Sequence, residues 1–490
     1  MMARTTCFVA LIVGMLGAAV PAVAQITDWP REDPPPPLLR SEVIFPDYEI
    51  RTLENGLRVV YVGHHEQPAV NVQLVMRAGA ANDPLGKPGV AAFVGLLLDQ
   101  GTTTRSAPDI ASAIDSVGGA LGVGAATDLS FGNVLVMKDS FDLGLDLLAD
   151  VTQRPAFAPR EIERQRQQML SNMQVGYDDP AYVADVVFNR LVYGFHPYGM
   201  PQSGTPESIR RISRDDLVAF HSTHYLPNNA VIAVVGDVTN DEAFAGVERV
   251  FGDWQRGSLT VVDDDEIPAP TSRLVVIDRP GAVQTTVRAG HAALPRAHRD
   301  FLAFDLAIKI LGGEGGNRLG SVLRTARSLT YSASADLAGR QLAGDFMAKT
   351  DTRSVATSEA LRLTVDEVAR MGREQVHPRE LQSAQDYLAG NFPITIETPN
   401  AIATQVLEAI LYGLDLDDLE NYPDRINAVT INDIQRVSEL HLEPSQLSIV
   451  LVGDASVFVQ DLTDAGFERF EVIPVSELDL SAVSLRRSSQ

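Results

Sequence analysis

Asn229-Ala230-Val231-Ile232-Ala233-Val234-Val235-Gly236-Asp237 and Gln446-Leu447-Ser448-Ile449-Val450-Leu451-Val452-Gly453-Asp454 are two versions of one stretch. Each is an apolar run of strand length closed by Gly-Asp, which reads as a strand. Further echoes surround them. Val75-Met76-Arg77-Ala78-Gly79 returns as Thr286-Val287-Arg288-Ala289-Gly290, and Tyr193-Gly194 as Tyr412-Gly413. The offset stays at about 210 to 220 residues, far beyond the roughly 20 to 50 residues of solenoid and propeller repeats. The chain therefore carries a duplicated domain.

Within the first half, strands are read at 59–62 and 70–76, and helices at 87–98 and 107–117. Gly118-Gly119 ends the second helix as a C′ glycine would. The stretch 119–136 alternates like a hairpin. Helices follow at 143–150, 161–177, 182–191 and 214–225. Grouped hairpins and helix pairs predict an α+β class, with helices on one face of a mainly antiparallel sheet. The division expected is a first domain over 46–255, an Asp- and Pro-rich linker over 256–271, a second domain over 272–456 and a tail over 457–490.

Residues 1–24 have the form of a secretory signal. Arg4 is the basic residue, 7–20 is the apolar segment, and Ala22-Val23-Ala24 is the cleavage site. The apolar segment is shorter than the roughly 20 residues a membrane span needs. Export to a Gram-negative periplasm is the expected location. Cys7 is the only cysteine. Cleavage after Ala24 would leave none, excluding disulfides and thiol chemistry. Residues 25–45 form an arm stiffened by Pro34-Pro35-Pro36-Pro37. The net charge of -24 argues against nucleic acid and anionic membranes, which need basic surface.

The chemistry is decided by Gly89-Val90-Ala91-Ala92-Phe93-Val94-Gly95-Leu96, followed by Gly101-Thr102. This run resembles the pitrilysin/insulinase family of zinc peptidases, especially its two-domain, processing-peptidase-like subunits. There it reads Gly-x-Ala-His-Phe-Leu-Glu-His and leads to Gly-Thr. On a helix, His-x-x-Glu-His turns two imidazoles and a carboxylate to one side. The imidazoles hold zinc and the Glu acts as general base on the metal-bound water. Here Ala92 and Leu96 replace the histidines and Gly95 replaces the Glu. The resemblance implies a third ligand, a Glu, on a later helix. That run is Gln165-Arg166-Gln167-Gln168-Met169-Leu170-Ser171-Asn172, and Asn172 stands at the ligand position. No metal is expected in this chain. The resemblance extends through Leu53-x-Asn55-Gly56-Leu57, Asp83-Pro84-x-Gly86, Asp150-x-x-x-x-Pro155-x-Phe157 and Asp178-Asp179-Pro180. It implies two homologous α/β-roll domains joined by a linker. The family's Asn-Ala-x-Thr edge strand, which pairs with substrate, has become Gly122-Val123-Gly124-Ala125.

The second half retains the family block Leu311-Gly312-Gly313 … Arg318-Leu319 … Leu323-Arg324 … Leu329-Thr330-Tyr331. The resemblance implies that Arg324 and Tyr331 supply donors to a zinc site on a facing domain, holding the substrate carbonyl and its oxyanion. By residue type alone, Arg324 reads as a surface ion-pair residue and Tyr331 as packed at a strand start. Gly312, Gly313, Gly315 and Gly316 lack a Gly-Lys-Ser/Thr ending and are read as a flexible, peptide-facing loop. His221-x-x-His224 has no third ligand nearby and is read as a surface pair.

Two functions follow. One is a non-catalytic subunit of a heteromeric zinc peptidase. Its homologous partner would carry His-x-x-Glu-His and the zinc, and the pair would enclose a peptide. The other is a peptide-binding or scaffold protein of the same fold with no peptidase partner.

Overall fold

The computed structural model describes residues 45–259, 272–313 and 316–487. The expected signal, nearly all of the Pro-rich arm, most of the linker, and Gly315 lie outside the described residues.

Each half is built on a six-stranded sheet. The first contains β1 (Tyr48–Thr52), β2 (Arg58–Gly63), β3 (Ala69–Met76), β4 (Ala120–Ala125), β5 (Ser130–Met137) and β6 (Ala230–Gly236), in the order β1-β2-β6-β3-β5-β4. The second contains β7 (Leu274–Asp278), β8 (Gln284–Ala293), β9 (Ala333–Ala338), β10 (Gly344–Arg353), β11 (Ser448–Gly453) and β12 (Glu471–Pro474), in the order β12-β7-β11-β8-β10-β9. The repeated stretch supplies β6 and β11. Each pairs parallel with one neighbour and antiparallel with the other. Of the remaining pairings only β12 with β7 is parallel. Both sheets are thus mainly antiparallel.

The first-half helices are α1 (Val90–Leu97), α2 (Ala107–Ser116), α3 (Phe141–Gln153), α4 (Pro159–Asp178), α5 (Pro180–Tyr193), α6 (Pro206–Arg211), α7 (Arg214–His224) and α8 (Asn240–Phe251). The second half has α9 (Phe301–Ile308), α10 (Thr357–Arg373), α11 (Pro378–Asn391), α12 (Pro399–Tyr412), α13 (Asp417–Glu420), α14 (Tyr422–Ala428), α15 (Ile431–His441) and α16 (Ala455–Asp464). The duplication reaches the caps. α7 opens on a Ser213/Asp216 capping box and α15 on a Thr430/Asp433 box, each satisfying amides that the first turn leaves unpaired.

Each half packs its own core helices on one face of its sheet, as the sequence predicts, and a helix from the other half covers the second face. Val70, Val72, Leu74 and Met76 of β3 point into the first core with α1, α3 and α8. On the opposite face, Gln73 accepts a 3.4 Å hydrogen bond from Thr404 of α12, a second-half helix. The exchange is reciprocal. α5 of the first half packs Val183, Val187, Phe188 and Leu191 against Val275, Ile277, Val450 and Val452 of the second sheet. Arg77 and Arg288, matched in the repeat, each reach the exchanged helix. Arg77 donates to the carbonyls of Ile410 and Leu411 at the end of α12. Arg288 pairs with Asp185 of α5 at 2.6 Å. The Tyr-Gly pairs close both helices. Tyr193 donates to Asp345 at 3.0 Å, and Tyr412 to Asp128 at 3.4 Å. Burying one such Val, Leu or Phe contributes about 1.5–3 kcal/mol, so this face is a second core shared by the halves.

The expected tail over 457–490 is, within its described residues 457–487, part of the second domain. It completes α16 and supplies β12, whose Glu471, Val472 and Ile473 run beside Val275, Val276 and Ile277. β12 takes the edge place that β1 holds in the first sheet. Four residues are too few for alternation to mark such a strand.

Candidate functional site

α1 is positioned from both ends. Asp83 accepts from the Gly89 amide at 2.6 Å and the Ala91 amide at 2.7 Å, which explains the Asp83-Pro84-x-Gly86 motif as an N-terminal cap. Gly89 has φ 97°, a left-handed conformation that favours glycine. Ala91, Phe93, Val94 and Leu97 fill the first core.

The other residues stand where the family resemblance places the metal site. Ala92 lines a cavity of about 350 Å³ with Thr127, Tyr182, Asn189, Gln202 and Arg340 among its walls. No wall residue is a His, Cys, Asp or Glu, and Arg340 brings a guanidinium. Leu96 is partly exposed at 41%. Asn172 lies on the exposed side of α4 and accepts from Gln168 at 2.8 Å. This set of methyl, isobutyl and amide groups does not fit zinc, which takes imidazole, thiolate or carboxylate ligands. Gly95 is buried, and the backbone has closed over it. A Cβ there would lie 2.7 Å from the Gly124 carbonyl carbon and 2.8 Å from the Ala125 nitrogen of β4.

The exit from α1 is held by Asp150, which is fully buried. It accepts from Thr102 at 2.7 Å, Thr104 at 2.9 Å, Arg105 at 2.8 Å and Arg154 at 3.0 Å. Burial works to raise this carboxyl, but hydrogen bonds from Thr102, Arg105 and Thr104 outweigh it and hold the group below its usual range. Asp150→Ala strands these donors and is expected to cost about 2–4 kcal/mol. Because the folded pKa is lowered, the contribution is present above the unfolded value of about 3.9 and is lost as pH falls through the folded value. Urea titrations at neutral and acidic pH would show the gap between wild type and Asp150→Ala closing in acid. A gap that stays constant to the lowest pH contradicts this linkage.

Arg324 and Tyr331 share a segment fixed by its backbone. The π-helical turn Gly320–Ala326 ends where Ser328, at φ 53°, lets the Leu329 amide reach the Leu323 carbonyl at 2.8 Å. Leu323 and Leu329 are buried anchors. Tyr331 is 89% exposed and Arg324 is exposed. Neither side chain has a hydrogen bond or ion pair to another described residue. Tyr331 is thus not packed, and Arg324 has no ion pair among the described residues. They do not line the cavity beside Ala92 of α1.

The Gly-rich turn is only partly a loop. Gly312 and Gly313 belong to the π-helical turn Lys309–Gly313 that continues α9. Gly312 is buried against β9, where a Cβ would lie 2.1 Å from the Ala335 nitrogen. Its role is close packing, while Gly316 has open space around it. His221 is not a free surface residue. Its Nε2 donates to the Thr152 carbonyl at 2.8 Å and its ring stacks on Tyr225. Burial pushes the His221 and His224 pKa values down. Arg340 at the Ala92 cavity was not legible in sequence. It arrives from the β9–β10 turn through the helix exchange, and pairs with Asp345 and Tyr193.

Comparisons with known proteins agree with this arrangement. Residues 58–199 match Insulinase (Peptidase family M16), and residues 211–388 match the Peptidase M16 inactive domain. An uncharacterized zinc protease of Mycobacterium leprae is 27% identical over 401 residues, covering 79% of this chain and 87% of the relative. The crystal structure of a peptidase M16 inactive domain from Pseudomonas fluorescens superimposes with a TM-score of 0.77 at 27% identity, covering 83% of this chain and 98% of that one. A protease structure from Helicobacter pylori gives a TM-score of 0.75 at 22% identity, over 83% and 99% of the two chains. The latter likeness speaks to fold alone.

Proposed function

Because the chain belongs to the insulinase (M16) peptidase family, we propose that it is the non-catalytic subunit of a heteromeric zinc peptidase. A homologous partner carries His-x-x-Glu-His and the zinc, and the two chains enclose a peptide. This chain lends Arg324 and Tyr331 to the partner's reaction. The observation that carries the reading is a contrast within one molecule. The base and ligand positions hold Gly95, Ala92, Leu96 and Asn172, with backbone packed over Gly95. The donor segment, by contrast, keeps a fixed backbone and exposes both side chains, which have no partner among the described residues. Two donors on a rigid support suit stabilisation of an oxyanion forming on a neighbouring chain.

Periplasmic location belongs to the same proposal and rests on the signal-like residues 1–24. Pull-down of the tagged chain from the periplasmic fraction tests it. The expected result is a stoichiometric homologue bearing an intact zinc motif. Recovery of homodimer alone, or of an unrelated assembly, favours the scaffold reading.

A further inference from the structure

Among the described residues, one group of side chains has the donors and spacing for a metal ion, and it lies away from α1. His298, Asp300 and His441 each offer one ligand atom, and these atoms all lie within 4.8 Å of one another. His298 and Asp300 sit in the turn leading into α9, and His441 ends α15.

The duplication gives a control. In the first half, the approach to α1 is tied to α7 by one ion pair, Lys87 with Asp216 at 2.5 Å. In the second half, Arg436 of α15 already makes that tie, 2.9 Å from Asp300 Oδ1. The two imidazoles are additional. Asp300 Oδ2 remains, 3.3 Å from His441 Nε2. That separation is long for a charge-assisted hydrogen bond. It suits two donors sharing one ion at about 2.0–2.2 Å in a tetrahedral site. Asp300 is buried and both histidines are half-buried, which leaves one side open for a water ligand. Arg436 stands where an outer partner orients a ligating carboxylate. The Phe304 ring, 5.6 Å from that of His441, supplies an apolar wall.

We infer that His298, Asp300 and His441 bind one divalent transition-metal ion of the zinc class, which clamps the start of α9 to the end of α15. His298 Nδ1 now accepts from the Asp300 amide at 3.1 Å, so coordination through either ring nitrogen gives up that bond. The ion's role in this proposal is to hold the helix junction, with water in the fourth position.

The test uses the full-length, tag-free chain, stripped with a chelator and titrated with Zn²⁺ by calorimetry and with Co²⁺ by visible absorption. One equivalent is expected. His298→Ala and His441→Ala should each weaken binding by more than the roughly 10- to 100-fold that loss of an outer partner causes. Asp300→Asn, of equal size, should do so as well. His221→Ala should bind like wild type. Circular dichroism checks that each variant is folded, and the Asn variant serves if a His variant is not. No saturable binding in wild type overturns the inference. So does binding that survives His298→Ala and His441→Ala unchanged. Neither result bears on Arg324 and Tyr331, which are read on a partner's peptidase activity.

Discussion

Tyr331→Phe is expected to lower the peptidase activity of the proposed complex with a catalytic homologue by about 100-fold, close to 2.7 kcal/mol of transition-state stabilisation. The loss falls on kcat more than on KM, because the hydroxyl meets its acceptor fully only as the oxyanion forms. Thermal stability of the isolated chain does not change, since Tyr331 is 89% exposed and such surface substitutions usually stay within about 0.5 kcal/mol. Arg324→Ala behaves alike, and the double variant falls short of the product of the singles because both act on one oxyanion. A partner complex whose kcat moves less than about threefold would mark the two donors as idle and shift support to the scaffold reading.

Restoring the zinc motif on paper does not restore the enzyme. Ala92→His, Gly95→Glu, Leu96→His and Asn172→Glu together return every ligand type and the base, yet hydrolysis by the chain alone is expected to stay at background. The obstacle is Gly95. Even a Cβ there lies 2.7 Å from one backbone atom of β4 and 2.8 Å from the next. Gly124 cannot retreat freely, because the Phe131 ring lies across it, 2.7 Å from where its own Cβ would stand. Gly95→Ala isolates the steric part. Helix propensity alone would favour alanine by about 1 kcal/mol, whereas overpacking costs about 1–3 kcal/mol. The expected net result is a lower midpoint in thermal unfolding, and a larger drop for Gly95→Glu. An alanine variant as stable as wild type would show that α1 and β4 can part, and that the base position is accessible.

Much of this was legible in the chain itself. Ala92, Leu96 and Asn172 announce the missing ligands by residue type, which no folding can alter. The repeated strand fixes the duplication. The same strand also held a signal of cover on its second face. Ala230–Gly236 is apolar without alternation, and all seven residues are buried, as a strand covered on both faces should be. What covers it could not be read, because α5 and α12 cross between halves through contacts far apart in sequence. β12 was hidden by its length. Gly95 could be read as a lost base, but its contact with Gly124 is a matter of ångströms that spacing does not encode. The His298, Asp300 and His441 cluster fits no familiar motif spacing and appears only when α15 returns to α9.

The central claim is that this chain is silent alone and contributes within a pair. It is tested most directly by assaying cleavage of unstructured peptides, with added zinc, by the purified chain before and after addition of the zinc-motif homologue that co-purifies with it. No hydrolysis above background is expected from the chain alone, and activity with the homologue should depend on Tyr331. Hydrolysis by the chain alone that a chelator abolishes would contradict it.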